Sequence, residues 1–270
     1  MNVIVITGAS SGMGMEFALQ MDNYFTNIDQ FWLIGRNQKR LDEVAQSLQF
    51  HPTMILDMDI TEDTALEELE RELTKRGAIV RMLINCAGYG IMGEFAEQNR
   101  EDALGMIRVN CEALTNITHR LLPYMKKGSR IIQLASSAAF LPQPDFAVYA
   151  ATKSYVLSFS RALGEELKGR GIYVTSVCPG PVNTPFFEIA EKNGSTLSIK
   201  KLTMVEPEEV VAKALRDSYY KRCMSVYSLP ILGFEMLAKY IPHGVILRGM
   251  RAMKKLQDTE LLEIIPQMIR

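Results

Sequence analysis

Short, uninterrupted apolar runs recur along this chain, and the stretches between them carry the spacing of amphipathic helices. The runs are Val3–Ile6, Phe31–Ile34, Met54–Leu56, Met82–Ile84, Arg130–Leu134, Tyr173–Val177 and Ser225–Tyr227. A strand with one wet face alternates apolar and polar residues, whereas a parallel strand covered on both faces reads as a continuous apolar run. The helical stretches are 15–24, 38–48, 65–76, 101–125, 149–169 and 208–221. Strand–helix alternation of this kind predicts βαβ units wound right-handed into an α/β, doubly wound parallel sheet of about seven strands, with helices on both faces. No repeat, low-complexity tract or linker divides the 270 residues, so the expectation is one domain over 1–270. Within it, residues 181–206 read as a loop or lid and 231–270 as a helical extension.

Composition narrows the function classes. Hydrophobic residues make up 47% and charged residues 23%, which provides a sizeable core without a disulfide or metal staple. A net charge of −1 gives no basic footprint for nucleic acid. The cysteines Cys86, Cys111, Cys178 and Cys223 form no C-x-x-C pair and only three histidines are present, so no metal site is expected. All four read as reduced thiols of a cytoplasmic protein. The strand pattern starts at once, leaving no room for a signal peptide, and no run approaches the roughly 20 apolar residues of a membrane span.

In doubly wound sheets ligands bind beyond the carboxyl ends of the strands. The first strand runs into Thr7-Gly8-Ala9-Ser10-Ser11-Gly12-Met13-Gly14, followed by a helix. Glycines there permit a tight turn and close backbone approach to a pyrophosphate, at which the helix aims its N-terminal N–H groups. The spacing G-x-x-x-G-x-G departs from the usual G-x-G-x-x-G, so it is the position between strand and helix that marks a dinucleotide site. At the end of the second strand stands Arg36, in Leu33-Ile34-Gly35-Arg36-Asn37, where a carboxylate would hold the ribose hydroxyl of NAD. A guanidinium suits the 2′-phosphate of NADP, so NADP(H) is the expected cofactor. The alternative is an ordinary solvated loop arginine. Arg40, one helical turn on, is a candidate assistant.

Tyr149 and Lys153 are four apart at the start of a helix, which puts both on one face. A phenol titrates near pH 10, and a neighbouring ammonium is expected to lower that value and supply a tuned general acid/base. Ser136, thirteen residues earlier at the end of the fifth strand, can bond the substrate oxygen, and Ser137 competes for that role. Asn110 falls inside a helical stretch, where it reads either as a surface or capping residue or as part of a proton relay.

Taken together these residues resemble the short-chain dehydrogenase/reductase family. The matching segments are Thr7–Gly14, Asn85-Cys86-Ala87-Gly88, Asn110, Ser136, Tyr149–Lys153, and Pro179-Gly180 followed by Val182 and Thr184. They occur in the family's order over residues 1–187. Cys86 departs from the usual N-N-A-G. The resemblance implies a Rossmann-type sheet of seven strands and a catalytic tetrad of Asn110, Ser136, Tyr149 and Lys153. It implies that Lys153 also holds the nicotinamide ribose and that Asn110 fixes a water linking Lys153 to solvent. Asp59 and Ile60 in Asp59-Ile60-Thr61 would sit at the adenine. Asn85, Ala87 and Gly88 would line the cofactor, and Val182 and Thr184 would touch the nicotinamide amide. A homodimer or homotetramer built on the helices beginning near Glu101 and Tyr149 is also implied.

The expected substrate is bulky and apolar, because the candidate walls are Tyr89, Gly90, Ile91 and Met92 on one side and Phe140, Leu141, Pro142 and Phe146 on the other. Within the family the resemblance leans toward hydroxysteroids, bile acids included, with 3-oxoacyl and other lipophilic ketones as the alternative. A non-catalytic NADP-binding sensor is the rival class, and it would be expected to lose Tyr149 or Lys153. The tail 231–256 mixes apolar residues with Lys239, Arg248, Arg251, Lys254 and Lys255. It reads first as a helix closing the pocket or a subunit contact, and otherwise as an interfacial helix seeking anionic lipid.

Overall fold

The computed structural model describes residues 1–191 and 204–258. Seven parallel strands form one sheet in the order β3-β2-β1-β4-β5-β6-β7. They are β1 Asn2–Thr7, β2 Gln30–Gly35, β3 Thr53–Asp57, β4 Ile79–Asn85, β5 Arg130–Leu134, β6 Tyr173–Val177 and β7 Met224–Ser225. The winding reverses between β1 and β4, which pair from Asn2↔Ile79 to Thr7↔Asn85. A crevice therefore opens beyond their carboxyl ends, as such a switch point requires.

The helices covering the first half are α1 Gly12–Tyr24, α2 Gln38–Ser47 and α3 Asp63–Lys75. Local chemistry sets their starts. The Asn37 side chain caps α2 by accepting from Arg40 N–H at 3.0 Å, and Asn99 caps α4 (Arg100–Ile107) by accepting from Glu101 N–H at 2.7 Å. The apolar runs bury as expected: Val3, Val5, Trp32 and Ile34 pack on one face of the sheet, while Ile4, Ile6, Phe31 and Leu33 pack on the other.

Three expectations need correction. The helix expected over 101–125 is α4, a π-helical turn over Arg108–Ala113, α5 Leu114–Leu121 and a 3-10 turn at Leu122–Tyr124 that contains Pro123. The last strand is two residues long and lies earlier than expected. Part of the expected loop is helical, α7 Phe186–Ala190, and Val182 bridges Val205; residues 192–203 of that loop lie outside the described residues. The tail consists of two helices separated at Pro242. After α6 Ala147–Lys168 and α8 Pro207–Tyr219 come α9 Leu229–Tyr240 and α10 His243–Asp258; residues 259–270 lie outside the described residues. Among the described residues no helix is long and apolar enough to cross a membrane.

Candidate active site

A cleft of about 920 Å³ lies beyond the carboxyl ends of β1, β2, β4, β5 and β6. Its floor at one end is the β1–α1 turn. Gly8 sits at φ +66°, and a Cβ there would meet the Ala87 nitrogen at 2.7 Å; a Cβ on Gly14 would meet the Gly8 carbonyl oxygen at 2.3 Å. Only glycine lets these two segments close, and the closure leaves the backbone of Ser10, Ser11, Gly12 and Met13 facing the cleft. Thr7 ties the turn to β4: its carbonyl accepts from Cys86 N–H, and its hydroxyl accepts from Ala87 N–H at 3.2 Å. This is a cradle in which a pyrophosphate fits at the N-terminus of α1.

Next along the cleft stand Arg36, Arg40, Asp59 and Ile60. The Arg36 guanidinium, largely exposed, donates to Asp59 at 3.3 Å. Burial alone would raise the Asp59 carboxyl, but bonds from Thr61 N–H and Oγ1 and from Arg36 outweigh it and hold the carboxyl below its usual range. Ile60 is buried in the core beside the cleft. The far end is lined by Ala87, Gly88, Pro179, Gly180, Val182 and Thr184. The Thr184 side chain closes on Gly12, whose Cβ position lies 3.3 Å from it. The cleft thus runs unbroken between these two groups of residues.

At the centre are Ser136, Tyr149 and Lys153. Tyr149 and Lys153 are buried on α6. The Ser136 side chain acts on the Tyr149 phenol, favouring its charged form, and accepts from Ala138 N–H at 3.1 Å, which caps the 3-10 turn Ser137–Phe140. Ser137 lines the cleft as well, and its N–H donates to the Pro179 carbonyl. Of the two serines, Ser136 is the one that acts on the Tyr149 phenol.

The tuning expected of the Tyr–Lys pair is absent. Burial pushes the Tyr149 phenol up to about 12, only partly offset by Ser136. Burial likewise brings the Lys153 ammonium down to about 8, against the opposing pull of Cys86, Cys111 and Cys178. Lys153 Nζ donates to the Leu134 carbonyl at 2.7 Å and lies 5.6 Å from the Tyr149 ring centre. In this apolar seat burial outweighs the mutual attraction of the two charged forms.

Two expected site residues stand behind the wall. The Asn110 side chain is buried: Oδ1 accepts from Tyr89 N–H at 3.1 Å, and Nδ2 donates to the Tyr89 carbonyl at 2.9 Å and to Thr152 Oγ1 at 3.0 Å. Asn85 Nδ2 donates to Thr118 Oγ1 and Gln133 Oε1, both at 3.0 Å, beneath the cleft rather than along it. The substrate walls also change. Tyr89, Met92 and Phe146 line the cleft, but Ile91 packs in the core and Phe140, Leu141 and Pro142 line a separate hollow.

Sequence reading, which expected the 181–206 stretch and the tail to complete the pocket, missed the part played by Thr152. Phe186 and Phe187 from α7, together with Ile231 from α9, complete the apolar end of the cleft. Phe146 stacks on Tyr149 with ring centres 4.2 Å apart, and Phe186 tilts against the same ring at 5.4 Å. Thr152 relays from Asn110 to α6, its hydroxyl donating to the Tyr149 carbonyl at 2.8 Å. A Thr beside the lysine was visible in the sequence, but its partners were not.

Comparison with known proteins bears on this geometry. The family profile described as short chain dehydrogenase matches residues 2–194. A sulfoacetaldehyde reductase of Chromohalobacter salexigens is 32% identical over 196 residues, covering 68% of this chain and 74% of its own length. A very-long-chain 3-oxoacyl-CoA reductase of Phaeosphaeria nodorum is also 32% identical over 196 residues, covering 68% of this chain and 56% of its own length. A short-chain dehydrogenase from Sphingobium yanoikuyae, solved in complex with NADPH, superposes with a TM-score of 0.75 at 26% identity, covering 96% of both chains. With the seven-stranded sheet and the cleft described above, these matches place the chain in the short-chain dehydrogenase/reductase family, as an oxidoreductase acting between alcohol and ketone.

Proposed function

We propose that the protein is an NADP(H)-dependent oxidoreductase interconverting a secondary alcohol and a ketone on a bulky apolar substrate, with a hydroxysteroid or bile acid as the leading class. The observation that carries this reading is the buried phenol of Tyr149, set among Phe146, Phe186 and Phe187 and lining with Ser136 a cleft that continues to Arg36. The glycine cradle fits a pyrophosphate, and Arg36 and Arg40 supply positive charge where a 2′-phosphate would lie. The NADPH complex of the Sphingobium yanoikuyae relative supports the same cofactor.

When bound, the nicotinamide supplies or takes up the hydride. The chain's own groups do the rest. Ser136 and Tyr149 hydroxyls converge on the carbonyl oxygen and stabilise the charge that develops there. In the reductive direction Tyr149 gives its proton to that oxygen; in the oxidative direction it takes the proton from the carbinol. Lys153 holds the ribose hydroxyls, with Leu134 fixing its ammonium. Asn110 and Thr152 keep the Tyr89 loop and α6 in register, and the aromatic wall excludes water. Asp59 and Ile60 sit at the adenine end, and Pro179, Gly180, Val182 and Thr184 at the nicotinamide. A cytoplasmic homodimer or homotetramer completes the reading, supported by exposed Leu104 and Ile107 on α4 and Tyr155 on α6.

The second reading, a 3-oxoacyl or other lipophilic ketone reductase, is favoured by the Phaeosphaeria nodorum relative. An absorbance screen with NADPH and NADH over oxosteroids, bile acids, 3-oxoacyl thioesters and lipophilic ketones separates the two. Turnover of one steroid position with NADPH supports the leading reading. Turnover of acyl thioesters alone replaces it with the second. Silence with NADPH still bound would overturn catalysis in favour of a sensor.

A further inference from the structure

The outer face of α9 is apolar where a surface helix is ordinarily polar. Leu232, Met236 and Tyr240 succeed one another at i, i+4 and i+8, so they form one line along the helix, and all three are exposed, Met236 by 51% and Tyr240 by 70%. The opposite side of the same helix faces the protein: Ala238 is buried, and Ile231 lines the cleft and reaches Gly180. After the Pro242 break, Val245 extends the exposed apolar line at 57%. Exposed Lys239, Arg248 and Arg251 flank it, and Lys254 and Lys255 follow in the sequence of α10. This collection of basic residues belongs to a chain whose net charge is −1. On α10 Arg248 and Arg251 share one side of the helix, Val245 lies at its edge one turn before Arg248, and Ile246 and Met250 lie on the other side.

We propose that the α9 face and the start of α10 dock the protein on an anionic lipid bilayer, with the mouth of the cleft held at the membrane surface. Charge complementarity selects this occupant. Apolar side chains enter the acyl boundary, Tyr240 lies at headgroup depth, and the basic residues meet anionic headgroups. A second copy fits less well, because a twofold contact would set Lys239, Arg248 and Arg251 against their own images. An apolar substrate dissolved in the bilayer would reach the cleft past Ile231 without crossing water. That purpose rests on the proposed lipophilic substrate, whereas the docking does not.

The test is flotation of the full chain with vesicles of phosphatidylglycerol and phosphatidylcholine, beside vesicles of phosphatidylcholine alone, in low and high salt and without substrate. The expected result is binding to the anionic vesicles that weakens in salt. Arg248→Ala with Arg251→Ala should lower the partition by roughly thirtyfold, at about one basic contact's worth of attraction each. Met236→Ser with Leu232→Ser should lower it at any salt concentration, with NADPH binding and melting temperature unchanged. No flotation with anionic vesicles overturns the proposal. So does a loss of self-association, read by light scattering, as the sole effect of the serine pair. Flotation without turnover of any lipophilic ketone would leave the docking standing and remove only the substrate class.

Discussion

Lys153 Nζ donates to the carbonyl of Leu134 at 2.7 Å, at the end of β5, and this bond rather than its neighbour Tyr149 fixes the lysine. Burial brings the ammonium down to about 8 from an ordinary value of 10.5. The folded protein therefore binds fewer protons here than the unfolded chain between about pH 8 and 10.5, and stability at this site rises with pH across that window. Below it, keeping the charge buried is a standing penalty. Lys153→Met should consequently melt a few degrees higher than the parent at pH 7, with the gain shrinking to nothing near pH 10.5 while turnover is lost. Melting curves at pH 7, 8.5 and 10 check this. A difference independent of pH would show that the lysine is not held by burial in this way.

Tyr149 behaves in the opposite sense. With the phenol raised to about 12 by burial, it stays protonated through the physiological range and is ready as a proton donor. Tyr149→Phe removes one hydroxyl and leaves the Phe146 stack in place. Reductive turnover should fall by about a thousandfold or more, within the range proton transfer contributes, while NADPH still binds by fluorescence titration. Turnover within tenfold of the parent would remove Tyr149 from its role.

Much of this arrangement was legible beforehand because the motifs sit at strand ends, and strand ends follow from apolar runs. The positions of Ser136 and Arg36 needed nothing more than that, while Tyr149, on α6, was read from its spacing to Lys153 and from the family resemblance. The parts that were not legible depend on contacts between distant segments. Phe186 reaches Tyr149 only because α7 forms within the stretch that read as a loop, and no periodicity in five residues announces it. Asn110 sits in a π turn whose extra residue changes which side chains face Tyr89, something that a 3.6-residue pattern cannot reveal. The Tyr149 shift failed for a different reason. Spacing along a helix gives proximity to Lys153, but the sign of a pKa shift depends on burial, which is a property of the whole cleft.

Arg36 is already engaged by Asp59 at 3.3 Å, so its two candidate partners, carboxylate and 2′-phosphate, compete. Arg36→Ala should raise KM for NADPH by about tenfold to a hundredfold, the worth of a charge-assisted bond to phosphate, and leave KM for NADH nearly unchanged. Asp59→Asn should move KM for NADPH the other way relative to NADH, because it releases the guanidinium. Equal effects on the two cofactors in steady-state kinetics would remove Arg36 from phosphate recognition.

Asp22 on α1 anchors the loop between α2 and β3. Its carboxylate accepts from the N–H groups of Gln49, Phe50 and His51 and meets His51 Nδ1 at 2.8 Å. Burial raises its pKa, but these bonds outweigh burial and hold the carboxyl below its usual 3.8. Stability conferred this way is fully present above about pH 4 and is lost as pH falls through the folded value. Asp22→Ala should cost about 2–4 kcal/mol by leaving several N–H groups unpaired, measured by urea unfolding at pH 7, and the penalty should shrink toward pH 3. A penalty that does not change with pH would mean that packing, not the carboxylate, holds the loop.

Gly90 lies behind the Tyr149 and Phe146 rings, where no side chain fits. A Cβ at this position would meet Tyr149 Cδ2 at 2.6 Å and Phe146 Cζ at 2.7 Å, so the stacked rings lie directly against its backbone. The two rings stack, and Gly90→Ala must displace them or the backbone that carries the new methyl. A displacement of a few tenths of an ångström is enough to misalign a proton donor. The expected outcome is a drop in kcat of about tenfold to a hundredfold with KM for NADPH unchanged, because the cradle at Gly8–Gly14 is remote from the new methyl. Steady-state kinetics with either cofactor form reads this split. An unchanged kcat would mean that the aromatic pair yields freely and does not position the phenol, and a rise in KM for NADPH instead would place Gly90 in cofactor binding.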